Sequence, residues 1–244
     1  MSTAVVTGTQ ELDGAPGAAD KALLVLACVA SSERPARLSD IVGGTGLPKS
    51  TVHRLLTILQ LHRAVQRRGE TYTIGSMVLR AARGASAQRM RHVAVPHLVE
   101  LYDAVRRPVS LAVLRDNNVE YLNALYPAAY LSVIPRPGDE VSAFCTSAGE
   151  LLLAYTSSDD DAPKEQLDRS LEIRLRGIAF REGEFAPGLC GMAAPVWVGG
   201  VQPVAAISVA GARDQFDAER IDPLLRRAAF AVSQALGHPN GAAR

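Results

Sequence analysis

Apolar positions recur with a helical period along the first third of the chain. Ala22, Val25, Leu26 and Val29 share one face and predict a helix over 20–30. Ser31–Arg37, with Pro35, interrupts it. Ser39 then caps a short second helix over 40–45, weakened by Gly43 and Gly44 at roughly 1 kcal/mol each. Thr45-Gly46-Leu47 reads as a tight turn. Pro48 suits the first position of a third helix, where its missing N–H would be unpaired anyway. There Val52, Leu55, Leu56 and Leu59 fall at i, i+3, i+4 and i+7, leaving Lys49, Ser50, His53, Arg54 and Thr57 on the opposite face. Val65 before Arg68-Gly69-Glu70, and Tyr72 and Ile74 after it, predict a β-hairpin. Ser76–Arg91 reads as a helical connector interrupted by Gly84 and Ser86.

Beyond it the pattern is mixed. A helix over 93–105 turns Val95, Leu98, Leu101, Tyr102 and Val105 inward, and Pro108 ends it. Val109–Arg115 and Val119–Tyr126 read as strands around Asp116-Asn117-Asn118, with Leu131–Ile134 as a short third strand. Thr146 or Ser147 caps a helix that runs to Ala154. A further helix over 164–176 repeats Leu167, Leu171 and Leu175 at spacing four. A strand starts at Gly177–Arg181, and Gly191–Val198 and Pro203–Ala210 flank Gly199-Gly200 as a hairpin. The last helix buries Ile221, Leu224, Leu225, Ala228 and Val232, with Asp222-Pro223 at a start or restart. Strands and helices mixed around a largely antiparallel sheet make an α+β domain.

The formal charge of +1 conceals an asymmetry. Residues 20–91 carry 12 Lys and Arg against 4 Asp and Glu, a net of +8, whereas residues 92–244 carry 14 against 19. Only the first lobe is suited to a polyanion. An amphipathic surface helix would show the same polar face as the third helix. The short helix before it and the basic hairpin after it narrow the reading to a helix-turn-helix with a wing, and so to DNA binding. The DNA-binding set is Lys49, Ser50, Thr51, His53 and Arg54 on the third helix, with Arg67, Arg68 and Tyr72 on the wing. Short donors and cations at a helix N-terminus meet base edges and phosphates; wing arginines meet the backbone.

The segments Leu38-Ser39-Asp40-Ile41-Val42, Thr45-Gly46-Leu47-Pro48-Lys49-Ser50-Thr51-Val52-His53-Arg54-Leu55-Leu56 and Tyr72-Thr73-Ile74-Gly75 resemble the IclR family of bacterial transcriptional regulators. The resemblance runs from Asp20 to about Leu236. It implies an N-terminal winged helix-turn-helix domain over 20–75, a linker helix over 76–91 and a GAF-like α+β effector-binding domain over 92–236. A flexible tail over 1–19 and a C-terminal tail over 237–244 complete the division. It also implies that the winged domains pair in a dimer, with Val78, Leu79 and Ala82 at that interface, and that dimers can form tetramers. The partners it implies are a palindromic double-stranded DNA operator and a small effector, a carboxylate or aromatic metabolite.

Carried over position by position, the effector pocket takes Ser147, Ala148, Arg181, Gly191, Ser208 and Ala210. Arg181 stands where an Asp is frequent and Ala210 where a second Ser is frequent, and the stretch before Gly177 is shorter than usual by about one helix. Pointed inward, Arg181 would grip a carboxylate bidentately; on a strand end it would be a solvated charge. Ser147 is either an N-cap or, with free N–H groups and the helix dipole, an anion site.

Cys145 precedes a helix N-terminus, where a thiol can be activated, but Phe144 and the apolar run after it favour a buried structural thiol. Cys190, beside Gly191, reads similarly. His92 and His97 do not share a helix face, so they form no zinc pair, and the three cysteines have no CxxC spacing. The Asp run in Ser157–Ala162 reads as a solvated loop, a weak hint of metal at best. Walker, GxSxG and HExxH motifs are absent. No enzyme, metal or cofactor is expected. Lacking a signal-peptide pattern and any run as long as a membrane span, the chain is expected to be cytoplasmic. Two alternatives remain: a regulator whose C-terminal domain has lost its ligand and serves oligomerisation, or a redox sensor built on Cys145 or Cys190.

Overall fold

The computed structural model describes residues 17–156 and 163–237. The expected N-terminal tail up to residue 16, the Asp-rich loop Ser157–Ala162 and the C-terminal tail from residue 238 lie outside the described residues. The chain divides after Ala85 into two compact units, inside the stretch expected as a connector.

In the first unit, α1 (Ala18–Ala30) and α2 (Leu38–Thr45) precede α3 (Lys49–Leu61). β1 (Ala36–Arg37), β2 (Val65–Arg68) and β3 (Thr71–Ile74) form an antiparallel sheet in the order β1-β3-β2. Val25 and Val29 of α1, Ile41 of α2 and Val52, Leu55 and Leu56 of α3 close one core with Ala36, Val65 and Tyr72. The start of α2 corrects the expected cap: Ser39 lies inside the helix, and Asp40 reaches back to accept from Arg37 N–H at 2.9 Å. Nor does the Gly43-Gly44 pair break α2. A Cβ on Gly44 would stand 2.8 Å from Cys28 Sγ, so glycine lets α2 lie close against α1. Gly46, at φ +66°, supplies the left-handed residue that ends α2 and turns the chain into α3.

α4 (Ser76–Val105) runs without a break through the expected connector and the helix after it, with Pro96 inside. In the second unit, β4 (Val109–Arg115), β5 (Asn118–Leu125) and β6 (Glu140–Ser142) precede α5 (Ser147–Thr156) and α6 (Lys164–Arg176). β7 (Ala179–Glu182), β8 (Leu189–Val196), β9 (Ala205–Ala212) and α7 (Ala218–Gly237) follow. The six strands are antiparallel in the order β6-β5-β4-β9-β8-β7. Side chains alternate across this sheet. Leu111, Val113, Met192, Ala194, Val196, Ile207 and Val209 pack under α4 and α7. Ala112, Tyr121, Ala179, Ala193 and Ala206 pack under α5 and α6. The face under α5 is built from small residues, which is where a site can form.

Three expected elements differ. Leu131–Ile134 is a turn rather than a strand: the N–H groups of Val133 and Ile134 both donate to Tyr130 O at 3.1 Å, and the third strand is β6 instead. On α4 it is Ala94, not Val95, that turns inward beside Leu98 and Leu101; Val95 is exposed. In α6 the repeated leucines are not the buried face. Ile173 is the anchor and Leu175 is 88% exposed, because charged residues fill the turns between and the helix lays only a narrow edge on α5.

Candidate nucleic-acid interface and effector site

Burial of Val52, Leu55 and Leu56 fixes which way α3 faces, leaving Lys49, Ser50, His53, Arg54 and Thr57 exposed and Thr51 half-buried. The β2–β3 hairpin pairs Arg67 with Tyr72 and Arg68 with Thr71 around Gly69-Glu70. Arg67 and Arg68 are exposed, and among the described residues neither they nor Lys49 nor Arg54 is held in an ion pair. Their charge is therefore available to an external anion. Tyr72 corrects its assignment as a DNA contact: it is 4% exposed, and its ring belongs to the core. Its service to the wing is indirect. The Arg67 guanidinium lies 5.8 Å from the Tyr72 ring centroid, and Arg67 Nε donates to Gly69 O at 2.8 Å, so the tyrosine face and the turn together aim the arginine.

In the second unit the six expected effector residues gather under and at the start of α5. Cross-strand pairing aligns Arg181, Gly191 and Ala210 in one row and Ala179, Ala193 and Ser208 in the next. Ser147 and Ala148 lie at the start of α5, both fully buried. The helix cap is Thr146, whose Oγ1 accepts from Gly149 N–H at 3.0 Å. Ser147 is therefore free of the capping role and holds a carboxylate of this chain: Ser147 N–H donates to Glu184 Oε2 at 2.7 Å and Ser147 Oγ to Glu184 Oε1 at 3.2 Å. Glu184 is 0% exposed. Gly191 makes room for it, because a Cβ there would fall 2.4 Å from the Glu184 carboxyl carbon. A Gly191→Ala substitution should therefore turn Glu184 out of its seat, to be seen directly in a crystal structure of the variant.

Burial pushes the Glu184 carboxyl up to about 7 from 4.5. The two Ser147 hydrogen bonds and the Arg181 charge oppose this shift, and the Glu150 charge adds to it. Arg181 does grip a carboxylate, but one of this chain: it pairs with Glu150 in the first turn of α5, which Arg169 also holds at 3.3 Å. Tyr121 is fully buried on the same face, and burial together with the Glu184 charge raises its phenol well above the ordinary range. Its hydroxyl lies beside Thr146 but makes no hydrogen bond of good geometry.

Glu184, Glu150 and Tyr121 were missed from sequence. An acid beside Gly183 looks like a solvated turn charge, and nothing local to it shows that the turn folds inward. One cavity of about 640 Å³ lies beside Trp197, Tyr155 and Phe230, and another of about 530 Å³ lies between α5 and α6, lined in part by Glu150 and Arg169.

Cys145 is exposed, contrary to expectation, because it ends a 3-10 turn ahead of α5; Cys190 is buried and Cys28 half-buried. Burial raises the thiols of Cys28 and Cys190, which keeps them protonated. Among the described residues no cluster of acidic, His or Cys side chains could hold a metal, and no helix is long and apolar enough to cross a membrane.

A winged helix-turn-helix unit followed by an α+β unit is the make-up of a DNA-binding regulator. Residues 18–69 match the family described as IclR helix-turn-helix domain. Residues 83–166 and 161–234 match the one described as Bacterial transcriptional regulator IclR C-terminal. The chain belongs to the IclR family, whose members are DNA-binding transcriptional regulators and not enzymes.

It is 31% identical to the Probable transcriptional regulator SauR of Cupriavidus necator, over 64% of this chain and 62% of that one. It is 25% identical to the Acetate operon repressor of Salmonella typhimurium, over 91% and 88%. Among solved structures it is similar to an IclR-family regulator from Rhodococcus sp., at 22% identity and TM-score 0.71, covering 96% of this chain and 99% of that one. It is also similar to an IclR homolog complexed with 4-hydroxybenzoate from Microbacterium hydrocarbonoxydans, at 23% identity and TM-score 0.55, covering 89% and 98%.

Proposed function

We propose that the protein binds a palindromic operator as a dimer, or a tetramer of paired dimers, and that a small carboxylate effector in the second unit changes its affinity for that operator. The observation that carries the DNA half is the row of unpaired, exposed cations on α3 and the wing. Lys49, Ser50, Thr51, His53 and Arg54 read bases or nearby phosphates, and Arg67 and Arg68 hold the backbone. Pairing is supported by apolar side chains left in solvent on the first unit: Leu23, Leu24, Leu61, Met77 and Leu79 are all exposed. The effector half rests on the Ser147 seat, which binds a carboxylate already, and on the solved 4-hydroxybenzoate complex of an IclR homolog. An effector that prefers one of two states of the regulator shifts operator affinity by that difference in binding free energy.

Arg54→Ala should relax sequence preference by about 1–3 kcal/mol at the affected base pair. Arg68→Ala should weaken all sequences alike and flatten the salt dependence of log K by about one unit. Binding titrations on operator and random DNA at several salt concentrations separate the two; if both variants flattened only the salt slope, α3 would not be the reading helix.

A further inference from the structure

We propose that Glu184 is a tethered stand-in for the effector: its carboxylate holds the anion seat at the N-terminus of α5, and a carboxylate effector binds by displacing it. This rests on the effector reading given above and adds how the site is kept closed and what opens it.

The seat has two donors in use, Ser147 N–H and Ser147 Oγ–H, and both are spent on the two oxygens of Glu184. A third polar group stands beside them, the Tyr121 hydroxyl, fully buried next to Thr146 and Glu184, with Thr146 within reach but no hydrogen bond of good geometry. A buried hydroxyl so poorly bonded is costly to keep. It is accounted for if the seat receives an oxyanion that reaches all three groups, where Glu184 from its own loop reaches only Ser147. The loop that delivers Glu184 joins β7 to β8. Its own backbone bonds run from Gly183 N–H and Glu184 N–H to Leu189 O, from Ala186 N–H to Glu184 O and from Leu189 N–H to Ala186 O, and one bond, from Arg213 N–H to Gly188 O, ties it to the chain just after β9. Phe185 next to Glu184 sits at φ +59°, a conformation an L residue adopts at a cost. Phe185 stacks edge-on against Tyr121, with ring centroids 6.0 Å apart, so a loop that moves out uncovers the hydroxyl as it empties the seat.

Charge sets the specificity. Two carboxylates cannot share one pair of donors in a buried site without strong repulsion, so an anionic ligand and Glu184 exclude one another. The groups facing Glu184 are Arg181 from β7, Glu150 from α5, Tyr121 from β5 and Cys190 from β8. Among the described residues Arg181 is the one cation facing the seat, and its charge is partly taken up by Glu150, which it shares with Arg169, so it cannot fully compensate two anions. On displacement Glu184 passes from a buried place to water, where it is the stronger acid. Displacement therefore releases a proton at mildly acidic pH, and carboxylate affinity rises with pH until it levels near pH 7. A ligand that bound beside Glu184 would instead draw a proton in, and its affinity would fall as pH rises.

The test titrates acetate into the full-length wild-type protein and its Glu184→Ala variant, read by calorimetry and by thermal shift. With the tethered carboxylate gone, the variant should take acetate at least ~10-fold more tightly than wild type. Acetamide should not substitute, and adding Ser147→Ala should abolish the gain. Equal acetate affinity in variant and wild type, or acetamide binding as well as acetate, would overturn the proposal. Should Glu184→Ala not fold, Glu184→Gln carries the same comparison, because its neutral amide holds the seat less firmly. In wild type, acetate affinity should rise from pH 5 to 7.5; a fall would overturn displacement. The two readings fail separately. A carboxylate that releases wild-type protein from its operator but binds Glu184→Ala with unchanged affinity overturns the stand-in and leaves the effector reading whole. Acetate uptake by Glu184→Ala with no carboxylate altering operator affinity upholds the stand-in and overturns the effector reading.

Discussion

Tyr72→Ala should abolish DNA binding by unfolding the first unit rather than by removing a contact. The ring is one of nine buried side chains that make the core between the three helices and the small sheet. Truncating a buried aromatic to alanine costs about 3–5 kcal/mol, and a unit of this size has little more than that to lose. Tyr72→Phe keeps the ring under Arg67 and should leave operator affinity within about twofold. Thermal unfolding and operator titration of both variants make the check. Normal melting of Tyr72→Ala with lost DNA affinity would return Tyr72 to the interface.

The second large effect is in the pH dependence of stability. The Glu184 carboxyl is raised to about 7 in the folded protein from 4.5. A raised acid means that the folded state binds the proton more tightly than the unfolded state does. Its stabilising contribution is therefore fully present below pH 4.5 and is lost as pH rises through 7. The span corresponds to at most about 3 kcal/mol. Glu184→Gln removes the titration, so the variant should be more stable than wild type at pH 8 and should lack this decline between pH 5 and 7. Denaturant unfolding at a series of pH values tests it; parallel curves for the two proteins would mean that the buried carboxylate does not titrate in this range. The same numbers explain why the seat can open. Above pH 7 its occupant is an ionised group held in a dry place at a cost, which lowers what an incoming carboxylate must overcome to displace it.

The first unit was legible because its signals are local. Period, turn residues and charge lie within a few positions of one another in Lys49–Leu61 and Val65–Ile74, and side-chain burial followed them. Tyr72 was misassigned because it sits among the basic residues of the wing; it shares a face with Arg67, its cross-strand partner, and only packing against the helices shows that its ring belongs to the core. In the second unit, Arg181, Gly191, Ser208 and Ala210 came from the family resemblance and strand pairing puts them on one face, but the decisive contact joins residues 37 positions apart. No local pattern marks Glu184 as buried; an acid in a glycine-bounded turn carries the same local signal whether it points to water or to a helix N-terminus. Leu171 and Leu175 show the converse failure: a helical spacing that the fold does not bury.

The most direct test of the regulator reading is genome-wide immunoprecipitation of the tagged protein, wild type against Arg54→Ala. A small set of sharp peaks over two-fold-symmetric sequences, lost in the variant, is the predicted result. Peaks unchanged by Arg54→Ala, or enrichment spread without sequence preference, would contradict it and remove α3 as the element that reads DNA.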